Sequence, residues 1–163
     1  YAFLELAATG VPASSETAAY LRNLAAQQLP SGNWRPAGGR PPQEFSDVTA
    51  TALSIRAVQL YGCKSPEWPS DCRTPIRRAQ SWLLSVEPSS TEGATFHLLG
   101  LLWAGRAPKS LHNRVRKLAL QQRRDGGWAQ LPTLPSDAYA TGQVLYALHE
   151  AGALRVSDPA VRN

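Results

Sequence analysis

Methionine is missing from this chain, and cysteine, histidine and phenylalanine are scarce, with two, three and three copies. Each shortage closes a route. Two cysteines and three scattered histidines (His97, His112, His149) do not assemble the three or four good ligands a zinc centre needs. No metal and no cofactor are therefore expected. There is no phosphate-cradling glycine loop, no dinucleotide fingerprint and no nucleophile elbow. Long apolar runs are also lacking. The longest, residues 94–104, is broken by His97 and is about half of what a bilayer requires, so it is read as a buried helix and no transmembrane segment is expected. The chain opens on Tyr1 with no basic stretch ahead of an apolar one, so no signal peptide is expected in this sequence.

Charge is modest, at 18% of residues against 43% hydrophobic, and it is lopsided: the formal net charge is +5 and most of the basic residues are arginine. Short basic clusters stand at Arg77-Arg78, at Arg114, Arg116 and Lys117, and at Arg123-Arg124. All fall on segments read as surface helices, where a solvated basic face is the ordinary explanation. A nucleic-acid interface would pair such charge with stacking aromatics or a known module. Neither is present, so nucleic acid is not expected as a partner.

What the chain does have is an internal repeat. Gln28, Gly32 and Trp34 form a Gln-x-x-x-Gly-x-Trp pattern that recurs at Gln122, Gly126 and Trp128. Each is followed by a Ser-Asp pair, Ser46-Asp47 and Ser136-Asp137, and then by an apolar helix closed by glycine, Gly62 and Gly152. Between them Thr91-Glu92 opens a third such helix ending at Gly105, where Glu87 takes the Gln position and no Trp follows. A repeat of this length means stacked helical hairpins.

Local punctuation predicts the partner helices. Ser15 precedes one running to Gln28. Thr74-Pro75 opens another, with Thr74 as N-cap and Pro75 in the first turn. Ser110 opens a third through Val115 and Leu118 to Gln122, and Asp158-Pro159 opens a fourth. The helices 47–61, 92–104 and 137–151 are apolar nearly all round and so are predicted to be buried on every side. The others carry charge on one face. Residues 2–9, followed by Gly10, read as the tail of an earlier apolar helix. The chain is thus predicted to be all-α, one domain over 1–163. Its repeats cover about 1–14, 15–62, 73–105, 109–152 and 157–163, the first and last partial, as in a piece of a longer array.

This pattern resembles the repeat of squalene–hopene and other class II terpene cyclases and of protein prenyltransferase beta subunits. The Gln-x-x-x-Gly-x-Trp is similar to their QW motif, and the resemblance covers nearly the whole chain. It implies an alpha/alpha toroid, here partial, with inner and outer helix layers. Gln28, Gly32, Trp34, Gln122, Gly126 and Trp128 are read as structural. Each Gln amide is expected to donate to carbonyls at the end of an outer helix while the indole covers it.

The acids that the resemblance would make catalytic are mostly not here. Aligned on the cyclases' Asp-x-Asp-Asp-Thr-Ala segment stand Phe45, Ser46, Asp47, Val48, Thr49 and Ala50, with one carboxylate of three. A single Asp does not supply an acid that is both held protonated and assisted by neighbours. The zinc set of prenyltransferases, an Asp with a Cys two residues on, meets Thr49 after Asp47 and Tyr139 after Asp137. Asp47, Glu92 and Asp137 are instead expected as first-turn acids behind the N-caps Ser46, Thr91 and Ser136. If the inner-helix N-termini open on a cavity, as the resemblance implies, Asp47, Thr49, Glu92, Phe96, Asp137 and Tyr139 line its mouth. His97 is read as a core residue with a satisfied nitrogen.

Cys63 and Cys72 share one short proline-rich loop, which suits a disulfide stapling it and favours an extracytoplasmic location. The loop from Arg35 to Phe45, rich in Pro and Gly, is read as a tolerated insertion at a rim. Together these readings predict a non-catalytic toroid domain that acts as a binding or interaction module, with an apolar isoprenoid-like molecule as the ligand the resemblance implies. The alternatives are part of a terpene-cyclase-like enzyme whose acids lie outside this chain, and a purely structural scaffold. Expected partners are further repeats or a second copy covering apolar end faces.

Overall fold

The computed structural model describes residues 1–36, 38, 46–65, 68 and 71–154. Among them the secondary structure is entirely helical, as the punctuation predicts: α1 (Ala2–Ala8), α2 (Ser15–Ala26), α3 (Asp47–Leu60), α4 (Arg73–Ser85), α5 (Thr91–Trp103), α6 (His112–Ala119) and α7 (Ala138–Glu150). None is long and apolar enough to cross a membrane. The predicted helix at Asp158-Pro159 and nearly all of the loop between Pro36 and Ser46 lie outside the described residues. The chain divides into two compact units, Tyr1–Val86 and Glu87–Asn163.

In the first unit α3 is the central element, packed against α1, α2 and α4. Its buried positions are small: Thr49, Thr51, Ala52, Ser54 and Ala57 accompany Ile55 and Val58. Small side chains let neighbouring helices come close, and larger ones fill the gaps at its C-terminal end. There Leu21, Val58, Tyr61 and Trp68 form a cluster with Phe3, Leu6, Leu24 and Ile76 against it. The Phe3 and Tyr61 rings sit 5.6 Å apart, and the Tyr61 hydroxyl donates to the Val11 carbonyl at 2.9 Å. Beside this cluster Cys63 and Cys72 are joined in the predicted disulfide, Cα atoms 5.2 Å apart.

In the second unit α5 packs on α7 and α6. Eleven of its 13 residues are buried, Glu92 and His97 included, so it is the all-round buried helix that its apolar sequence predicts. The expectation fails for α7, which buries Ala140, Val144, Ala147 and Leu148 on one stripe and leaves Tyr146 about half exposed. Its main packing partners are α5 and α6, and those two cover only one side.

Helix ends depart from the sequence reading by a residue or a turn, each time for a visible reason. α2 is capped by Ser14 rather than Ser15, because Ser14 and Thr17 exchange side-chain and backbone bonds in a reciprocal box. Thr74 does not cap α4. Asp71 accepts the backbone N–H groups of Arg73 and Thr74 at 3.0 and 3.2 Å, together with the Thr74 hydroxyl and the Arg77 guanidinium. The helix begins one residue before Thr74 as a result. α6 is preceded by a 3-10 turn over Pro108–Leu111 and stops at Ala119, short of Gln122.

Of the glycines expected just past helix ends, Gly10, Gly105 and Gly152 have φ of +74°, +90° and +68°. In each case the next residue's N–H reaches back five positions, Val11 to Leu6, Arg106 to Leu101 and Ala153 to Leu148, the bond that marks a Schellman ending. Gly62 is different. It stands in a 3-10 turn, and a Cβ there would lie 3.3 Å from the Trp68 ring, so Gly62 is there for close approach.

Gly32 combines both demands. Its φ is +100°, and a Cβ would fall 2.5 Å from the Arg78 carbonyl oxygen. Gly32→Ala is therefore expected to cost about 2–4 kcal/mol in urea denaturation, strain and backbone clash together. Gly105→Ala, with the same sign of φ but open space around it, should cost about 1 kcal/mol. Equal losses would refute the close-packing explanation.

Asp71 supplies a pH test. Its hydrogen bonds to Thr74 and Arg77 lower its pKa from 3.8 to about 2. A depressed carboxylate stabilises the fold above its unfolded pKa, and that contribution is lost as pH falls through the folded value. Asp71→Asn should lower stability at neutral pH, and its gap to wild type should close between about pH 4 and about pH 2. A gap that persists at the acid end would refute the assignment.

Candidate functional site

The two Gln-Gly-Trp segments fold into the same turn with equivalent hydrogen bonds. At the end of α2 the chain reverses through Gly32, where Leu29 N–H donates to the Asn33 carbonyl and Gly32 N–H to the Leu29 carbonyl, each at 2.9 Å. At the end of α6 the same pair of bonds joins Arg123 to Gly127 and Gly126 to Arg123, each at 3.0 Å, with Gly126 at φ +81°. Gln28 Nε2 donates to the Gly32 carbonyl at 2.8 Å and Gln122 Nε2 to the Gly126 carbonyl at 2.9 Å. Each Gln therefore braces its own turn. Gln28 Nε2 also donates to the Pro75 carbonyl in α4 at 2.8 Å.

The indoles take the task that the sequence reading gave to the Gln amides. Trp34 Nε1 donates to the Leu24 carbonyl at 2.6 Å, and Trp128 Nε1 to the Leu118 carbonyl at 2.9 Å. Both carbonyls stand in a last helical turn, where the regular i to i−4 partner is running out. Each also accepts a tightened 3-10 bond, from Gln27 and from Gln121, both at 3.2 Å. Gln28 and Gln122 lie past the helix ends and so cannot bond these carbonyls from within. The rings are 2% and 1% exposed, deep enough that an unpaired indole N–H would be costly.

A third member escaped the sequence reading. Trp34 N–H donates to Thr51 Oγ1 at 3.0 Å, and the same hydroxyl returns to the Trp34 carbonyl at 3.3 Å. Thr141 does the same for Trp128, at 2.9 and 3.4 Å. The signal was an Asp-x-x-x-Thr spacing from Asp47 and from Asp137, easily passed over because a threonine one turn inside a helix has no obvious task.

The acids at the helix starts serve as acceptors. Ser46 caps α3 as expected, accepting Thr49 N–H at 3.2 Å, while Asp47 Oδ2 accepts Asn33 Nδ2 at 3.0 Å and stands 3.7 Å from Arg35 Nε. α5 is capped by Ser90, with Thr91 drawn away to donate its hydroxyl to the Ala129 carbonyl at 2.5 Å. In α7 Asp137 is itself the cap. Its Oδ1 takes Ala140 N–H at 2.9 Å and its Oδ2 takes Gln130 Nε2 at 3.3 Å. Ser136 is unavailable for capping because it donates to Asp125 at 3.1 Å. That bond, with the Gly127 N–H, lowers the Asp125 pKa.

The proposed mouth residues fall in separate units, Asp47 and Thr49 in the first and Glu92, Phe96, Asp137 and Tyr139 in the second. Thr49, Glu92 and Phe96 are buried at 1%, 8% and 6% exposure. None of the six lines any of the three principal clefts. No group of three His, Cys, Asp or Glu converges as metal ligands among the described residues. His112 and His149 are exposed and His97 is buried. A cleft of about 580 Å³ lies beside α6 and draws in His97 together with Arg114, Arg116 and Lys117.

Because Thr51 and Thr141 each hold a buried Trp backbone, Thr51→Val and Thr141→Val should each cost about 1–3 kcal/mol in denaturation, the price of an orphaned buried N–H. If one variant is neutral, the two clamps are not equivalent. Compared with protein-family profiles, with curated proteins and with solved structures, the chain gives no match.

Proposed function

We propose that this chain is a non-catalytic helical-repeat module, similar to the toroid repeats of squalene–hopene cyclases and prenyltransferase beta subunits, that serves as a binding or interaction domain. The observation that carries the reading is the clamp built twice. Equivalent backbone and side-chain groups make the same bonds at Gln28–Trp34 and at Gln122–Trp128, which is how a stacking repeat holds successive hairpins in register.

The acids support the non-catalytic part. A general acid must present a proton to substrate. Both oxygens of Asp137 accept hydrogen bonds, and Asp47 Oδ2 faces the Asn33 amide and the Arg35 guanidinium. Among the described residues neither carboxylate is seen hydrogen-bonded to a second one that would share a proton with it. The partial ring of inner and outer layers belongs to this same reading.

The test is product analysis. The purified chain would be incubated with squalene, and separately with farnesyl diphosphate, zinc and a cysteine-containing acceptor peptide. Mass spectrometry should return unchanged substrates. A cyclised triterpene or a prenylated peptide would overturn the non-catalytic reading, and with it the assignment of Asp47 and Asp137 as structural acceptors.

A further inference from the structure

The cleft beside α6 holds an electrostatic anomaly. Arg114 is half-buried, and its Nε donates to Nδ1 of the buried His97 at 3.4 Å. The ring nitrogen accepts from the guanidinium here, where a carboxylate oxygen would be the usual acceptor. Arg114 thus leans on an imidazole ring. No carboxylate pairs with it among the described residues. Half-buried charge is ordinarily matched by an opposite charge or abundant water.

Two further cations, Arg116 and Lys117, stand at the same cleft without ion-pair partners among the described residues, against one acid at its rim, Glu87. Pro88, Ala94 and Leu118 supply apolar wall. The volume of about 580 Å³ is within the range of small-molecule sites. All of these residues belong to the second unit, and nothing in the cleft depends on the toroid reading.

We infer that this cleft binds a small organic anion, a carboxylate or phosphate monoester with an apolar body, whose charged head serves as the counter-ion that Arg114, Arg116 and Lys117 do not find among the described residues. The guanidinium offers a planar fork suited to either head group. His97 acts as a positioning residue: by holding Nε it fixes the plane of the fork and leaves both Nη groups for the ligand. Pro88 and Leu118 then cover the apolar body, which gives an anion with a ring an advantage over the bare ion.

The test is a titration of the isotope-labelled chain followed by NMR, with phenyl phosphate, benzoate, inorganic phosphate and benzyl alcohol as probes. Phenyl phosphate, benzoate or both should shift the amides of Ala94, His97, Arg114, Leu118 and Gln121 saturably, and whichever binds identifies the head group. Inorganic phosphate should act on the same amides about tenfold more weakly, and benzyl alcohol not at all. The exposed pair Arg116→Glu with Lys117→Glu should weaken binding by about tenfold or more. Arg106→Glu with Lys109→Glu, an equal change of net charge on exposed residues outside the cleft, should leave it within about twofold. The spectra themselves report whether each variant is folded. Absence of saturable shifts with both anions in the wild-type chain would overturn the proposal. So would an equal loss in the two double variants, because that marks diffuse attraction to a basic surface.

Discussion

The indole N–H that reaches back to a helix-end carbonyl is the constraint around which each unit is arranged. An α-helix runs out of donors in its last turn, and α2 and α6 both end in short 3-10 bonds that leave room at the Leu24 and Leu118 carbonyls. Trp34 and Trp128 fill that room from ten residues downstream. To bring the ring back so far, the chain must reverse tightly, which is why a glycine with positive φ stands two residues before each Trp. The same Trp then offers its backbone N–H and carbonyl to a threonine one turn into the next helix. One residue therefore ties the end of one helix, the turn and the start of another. Burial of the ring supplies most of the free energy and the hydrogen bonds supply the register, since a net contribution of about 1 kcal/mol each fixes geometry more than stability.

Gln28, Gly32 and Trp34 were legible in the sequence because the task restricts the residue: only glycine takes that φ without strain, and only an indole combines such area with a single donor. The partners of those side chains were not legible. Gln and Trp are both donors, and the choice of which one reaches the helix end is set by chain direction after the turn. Caps slipped for a related reason. Ser-Asp and Ser-Thr-Glu each contain more than one residue able to cap, and tertiary competition decides between them. Ser136 is claimed by Asp125 and Thr91 by the Ala129 carbonyl, so Asp137 and Ser90 cap instead. Thr51 and Thr141 stayed hidden because side-chain bonding to a distant backbone leaves no periodic trace.

The connection without the clamp behaves differently. At Glu87 the Gln position is acidic, and neither the glycine nor the tryptophan follows. The division between the two compact units falls there, between Val86 and Glu87. Where a clamp is present, the chain on both sides of it stays within one unit: α2, α3 and α4 around Trp34, and α5, α6 and α7 around Trp128. In the second unit the segment after Trp128 also returns to the start of α5, where Thr91 N–H donates to the Gln130 carbonyl at 3.1 Å. Both clamps thus lie within a compact unit, and the connection without one lies at the division between the two.

The same accounting explains why the basic residues matter in one place and not elsewhere. Acids are fewer than bases in this chain, and several are committed to backbone work: Asp71 at the start of α4, Asp125 in the second turn and Asp137 at the start of α7. A carboxylate that accepts backbone N–H groups is anchored to its own helix end and cannot follow a distant cation. Arg77 is neutralised because it lies within reach of Asp71 at 2.9 Å, and Arg78 and Arg123 spend donors on the carbonyls of Leu29 and Pro132. Among the described residues Arg114, Arg116 and Lys117 of α6 pair with no acid, and Arg114 donates only to the His97 ring. Their helix start lacks an acid, and the groove they border is walled by Pro88, Ala94 and Leu118, with Glu87 as its one carboxylate. On a flat surface water would compensate them fully; in a half-enclosed groove it does so less well. The surplus of cations over acids along that groove therefore follows in part from helix capping elsewhere in the chain.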